Sequence, residues 1–128
     1  METLIKAGGF YHIGLIAFHL MFWRIFNWNT ALESLSFVNK AVMQVLNLSL
    51  TIVFAIFAYI SLAYTRELVN TSLGQALVVM IAMFWLARSI QQIVFFKLAH
   101  RASWAFLLIF LTGSLLYAIP ALYSIQII

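Results

Sequence analysis

Four apolar stretches, each near the roughly 20 residues that carry a helix across a bilayer, follow one another with short connections between them. They fall at about Ile5–Phe26, Lys40–Tyr64, Leu73–Phe96 and Ser103–Tyr123. In lipid the backbone must satisfy its own hydrogen bonds, and the two-residue alternation of barrel strands is absent, so all four are expected to be helices. The prediction is an all-α, integral membrane four-helix bundle, folded as one domain across the 128 residues.

Composition removes the alternatives. Hydrophobic residues make up 66% of the chain and charged ones 8%, against roughly a quarter charged in an ordinary soluble domain. So few charges cannot cover a soluble surface, and so much apolar mass does not stay disordered. There is no cysteine, which removes disulfides, thiolate metal sites and thiol redox chemistry. The net charge of +4 comes from seven Lys/Arg against Glu2, Glu33 and Glu67. These charges are scattered singly between apolar runs, which suits lipid headgroups rather than nucleic acid. The first run ends in Trp23-Arg24 without a small-residue cleavage pattern, so no cleavable signal is expected.

The connections carry helix punctuation. Thr30-Ala31-Leu32-Glu33 fits a capping box that would start a short surface helix, and Ser72-Leu73-Gly74-Gln75 fits another opening the third span. Ser103 is the expected N-cap of the fourth. Trp23, Trp28, Tyr64 and Trp104 stand at span ends, as interfacial aromatics do, and Pro120 is expected to kink or end the last span. Arg24, Lys40, Lys97 and Arg101 follow spans one and three, against Lys6 and Arg66 on the other side. That asymmetry places the first set inside and both termini outside, in a bacterial-type inner membrane.

Polar residues within the spans are the candidate site. His12 and His19, seven apart, share a face about 10 Å apart along the axis. Lys40, Gln44, Asn47 and Thr51 form a narrow stripe that Ala55 and Ala58 continue. Arg88 lies nine residues before Lys97, about 13 Å below that helix end. Its insertion costs at least about 2.5–3.5 kcal/mol, its guanidinium cannot shed its charge, and no span contains a carboxylate. Gln91 and Gln92 follow it, and Gly113 and Tyr117 share a face of span four. Because alternate spans run in opposite directions, His19, Gln44, Asn47, Arg88 and Gln92 fall in one half of the bilayer. The expected site is an electropositive pocket formed by Arg88, Gln44, Asn47, Gln92, His19 and Tyr117, suited to an amphipathic anion or a quinone.

No cofactor or metal is expected. A haem on His12 or His19 would need a facing histidine from a second copy of the chain, and metal sites want three or four ligands. Phosphate-binding loops, nucleophile elbows and paired carboxylates are absent. In size and span count the chain resembles the small multidrug exporters, but it lacks their span-one Glu. It is also similar in length and span count to the membrane glutathione transferases. Its span two reads Asn39-Lys40-Ala41-Val42-Met43-Gln44-Val45-Leu46-Asn47 and lacks their Glu-Arg-based pattern. That similarity, one of shape, implies as an alternative a transferase in which Arg88 holds an anionic cosubstrate. A small transporter or channel relaying protons through His12 and His19 is the other alternative. The leading expectation is a non-enzymatic membrane protein that binds lipid or an amphipathic anion, as a homo-oligomer or an accessory subunit of a larger membrane complex.

Overall fold

A computed structural model describes residues 1–124, and every regular element within them is helical. In chain order these are α1 (Glu2–Leu20), α2 (Phe22–Ile25), α3 (Trp28–Ala31), a 3₁₀ turn (Leu32–Ser34), α4 (Phe37–Ala63), α5 (Thr65–Asn70), α6 (Ser72–Gln91), a π-helical turn (Gln92–Phe96) and α7 (Arg101–Ser124). Among the described residues three helices are long and apolar enough to cross a membrane: Phe37–Ala63, Ser72–Phe96 and Arg101–Ser124. The 19-residue α1, carrying Glu2, Lys6, His12 and His19, is not among them.

The first span was expected to run to Phe26, but α1 stops at Leu20. The chain turns at Met21, and Asn27 takes a left-handed conformation with φ of 52°, which Asn tolerates better than most side chains. The expected capping residues are also displaced. Thr30 sits inside α3 rather than capping a helix. The N-cap of α6 is Thr71, whose hydroxyl accepts from the Gly74 amide at 2.9 Å. Ser103 lies within the first turn of α7, and Pro120 lies inside that helix without ending it. Ser36, which the sequence reading passed over, caps α4 by accepting from the Asn39 amide at 3.2 Å.

Helix α1 packs along α4 and α7, and α6 packs along α7. The approach of α1 to α7 depends on a reciprocal pair of glycines. The Tyr117 ring from α7 lies against Gly8, and the Tyr11 ring from α1 lies against Gly113. Tyr11 also donates to the Ile109 carbonyl at 2.8 Å. A Cβ at Gly8 would fall 2.5 Å from Tyr117 Cζ, and Tyr117 is completely buried. Gly8→Ala is therefore expected to cost about 1–3 kcal/mol through overpacking. Gly14→Ala, with nothing within 4 Å of its Cβ, is the control and should leave stability unchanged or slightly higher. Denaturant titration in detergent micelles measures both.

One polar residue from each long helix meets in the core. Trp85 Nε1 of α6 donates to His12 Nε2 of α1 at 3.0 Å. Since indole is a donor only, Nε2 must accept and the ring proton sits on Nδ1. Nδ1 lies 2.8 Å from the Gly8 carbonyl, to which it donates, and 3.2 Å from the Tyr117 hydroxyl of α7. That hydroxyl is 2.7 Å from Ser61 Oγ of α4. Among the described residues no enclosed side-chain nitrogen or oxygen lacks a partner, as a tightly packed core requires.

Candidate ligand cavity

Helices α4 and α6 do not pack along each other. They meet through rings at one level, Phe54 and Phe57 against Phe84, and Phe54 stacked on Trp85 at 5.4 Å between centroids. Toward Lys40 and Lys97 no hydrogen bond or ring contact joins them among the described residues. A cavity of about 560 Å³ occupies that half of the fold. This is within the ~300–1,000 Å³ typical of sites for small ligands. Half of the residues lining it are Phe or Trp, contributed by α1, α2, α3, α4, α6, α7 and the intervening turns. Its polar groups are Arg88, His19, Gln92, Ser103 and His100.

The six sequence-predicted site residues divide into three groups. Arg88, His19 and Gln92 line this one cavity. Gln44 and Asn47 instead join α4 to α2 and α1 respectively. Trp23 Nε1 donates to Gln44 Oε1 at 3.0 Å, and Gln44 Nε2 reaches the Lys40 carbonyl at 3.3 Å. Asn47, almost fully buried, donates through Nδ2 to the His19 carbonyl at 3.0 Å and accepts from His19 Nδ1 at 2.7 Å. Tyr117 belongs to the His12 cluster instead, because α7 carries it toward Gly8 rather than toward Arg88. The sequence places Tyr117 on the right face of α7 but does not separate the two ends of that face.

Gln92 has a bracing role. Its side chain, 2% exposed, donates to Ser103 Oγ at 3.1 Å, and Ser103 donates to the Lys97 carbonyl. These bonds hold the π-helical turn and the reversal at Lys97, whose φ is 57°, against the start of α7. π-helical turns recur beside functional sites because they re-aim side chains within a helix. Here the turn carries Gln92 and Phe96 to the cavity next to Arg88.

Arg88 is the polar centre. Its Cζ lies 4.3 Å from the Phe110 ring centroid and 5.8 Å from that of Phe96. Such contacts contribute about 0.5–2 kcal/mol, but they leave the five N–H donors, which point outward in the guanidinium plane, without acceptors. Among the described residues Arg88 makes no hydrogen bond and no ion pair, and its nitrogens are not sealed from the cavity. His12, in contrast, has both ring nitrogens engaged, Nδ1 by the Gly8 carbonyl and Nε2 by the Trp85 indole.

The amide pair with Asn47 supports the wall that carries His19. Asn47→Leu should strand His19 Nδ1 and the adjacent carbonyl at a cost of about 1–3 kcal/mol, while leaving Arg88 and the aromatic lining of the cavity in place. Parallel measurements of unfolding and ligand retention separate those two effects. No protein family, characterised protein or solved structure matches the chain.

Proposed function

We propose that the chain is a four-span membrane protein that binds an amphipathic anion in the cavity around Arg88, without catalysing a reaction on it. The observation that carries this reading is the guanidinium itself. It opens onto an aromatic cavity with no acceptor and no carboxylate bound to it among the described residues. An uncompensated charge in apolar surroundings is costly, and an anionic ligand would supply both the counter-charge and the acceptors. The apolar body of the ligand would lie along Phe18, Phe54 and Phe106, with any longer chain passing between α4 and α6 into the bilayer.

In this arrangement α1 is the fourth span, crossing beside α4 and α7 despite its histidines. His12 is satisfied by Trp85 and Gly8, and Nδ1 of His19 by Asn47, which lowers the cost of carrying both through lipid. Arg24, Lys40, Lys97 and Arg101 then mark the inner face of a bacterial-type membrane, with the cavity in the inner leaflet. The many large apolar side chains left exposed, Phe37, Ile52, Met80 and Leu108 among them, face lipid or a second copy of the chain.

Native mass spectrometry of protein extracted in mild detergent tests the binding. The expected spectrum retains an anionic amphiphile at one per chain, and nanodiscs of mixed composition show anionic lipid enriched over phosphatidylcholine. Delipidated spectra together with equal uptake of anionic and neutral lipid would contradict the proposal.

A further inference from the structure

The hydrogen bonds around His19 determine what the second polar contact in the cavity offers. Asn47 Nδ2 faces the His19 carbonyl at 3.0 Å, and since a carbonyl only accepts, the amide orientation is settled. Asn47 Oδ1 therefore faces His19 Nδ1 at 2.7 Å and must receive a proton from it. In the neutral ring the proton is thus on Nδ1, and Nε2 is a bare acceptor. A half-turn of the ring would break the bond to Asn47. The ring is also held by Phe22, stacked at 4.4 Å, and by the edge contact with Phe54 at 5.1 Å. Nε2 has no hydrogen-bond partner among the described residues and is not enclosed, and His19 lines the same cavity as Arg88.

The cavity therefore presents donors without acceptors at Arg88 and an acceptor without a donor at His19. A simple anion satisfies the first and sets its oxygens against the lone pair of the second. Resting on the anion-binding reading above, we propose that the ligand head carries both an anionic oxygen, received by Arg88, and a hydroxyl group, donated to His19 Nε2. The class is an anionic membrane amphiphile with a hydroxylated head, such as a phosphodiester lipid bearing a free alcohol.

Two lipids isolate the hydroxyl. Phosphatidylglycerol and phosphatidylmethanol carry the same phosphodiester charge, but only the first has hydroxyls. Nanodiscs containing each at matched chain length, diluted in phosphatidylcholine, are offered to the full chain, and bound lipid is read by native mass spectrometry. One neutral hydrogen bond predicts a preference for phosphatidylglycerol of about three- to tenfold. In folded His19→Phe that preference should collapse to near unity. Equal retention of the two anionic lipids by the unaltered chain overturns the proposal but leaves anion binding standing, and the result does not depend on the variant folding. A preference that survives in folded His19→Phe also overturns it. Absence of any anionic enrichment over phosphatidylcholine in the unaltered chain would instead remove the reading on which it rests.

Discussion

Arg88→Leu is expected to lose bound anionic amphiphile by at least about tenfold while its ligand-free stability stays level or rises. The two halves of this result have different causes. Hydrogen bonds to charged groups are worth about 1.5–3 kcal/mol each, and a factor of ten corresponds to about 1.4 kcal/mol, so losing even one such bond is sufficient. Stability is not expected to fall, because Arg88 holds no acceptor among the described residues and its ring contacts with Phe110 and Phe96 are what would disappear. Leucine packs against those rings without the desolvation cost of a charge. Arg88→Lys keeps the charge but not the planar fork, so intermediate retention is expected. Lipid retention and detergent denaturation measured on all three proteins decide the matter. A leucine variant that is less stable yet keeps its lipid would make Arg88 a structural residue.

The second large effect is expected at Trp85. It is 1% exposed, stacks between Phe54 and Phe110 at centroid distances of 5.4 and 5.7 Å, and donates to His12. Truncating a buried aromatic costs about 3–5 kcal/mol, and His12 Nε2 would also be left without its donor, adding about 1–3 kcal/mol. Trp85→Ala should therefore fail to accumulate as folded protein or unfold at much lower denaturant. Trp85→Phe should be milder, since it keeps most of the stack and loses chiefly the hydrogen bond. Pairing it with His12→Phe in a double-mutant cycle should show strong coupling, because one bond joins the two residues. Additive behaviour would mean that the indole contributes only volume.

The sequence and the structure agree where hydropathy dominates. Three long apolar runs are visible in composition alone, because lipid demands them. The isolation of Arg88 is equally visible, since a chain with no Asp and three Glu outside its spans has no carboxylate to place beside it. The agreement fails where geometry decides. Asn47 and Gln44 share a stripe with Lys40, but only the positions of α1 and α2 turn their amides toward His19 and Trp23 rather than toward a ligand. Tyr117 sits on the expected face of α7, yet the glycine at position 8 draws it into the His12 cluster.

Trp85 was missed because an indole in an apolar run looks like any packing aromatic until its donor finds His12. Helix boundaries shifted by a residue or more for a related reason. Ser, Thr and Asn near a helix start are interchangeable caps in sequence, and packing selects Thr71 over Ser72. The His19 acceptor could not be read from the chain at all, since it depends on which way the Asn47 amide faces.

Density beside Arg88 tests the central claim most directly. An experimental structure of the chain in nanodiscs containing anionic lipid should place a head-group oxygen about 2.7–3.2 Å from the guanidinium nitrogens, with the attached chain along the aromatic wall. A guanidinium facing bulk water or lipid tails, with the cavity collapsed or filled by its own side chains, would contradict the account and leave only the packed helices.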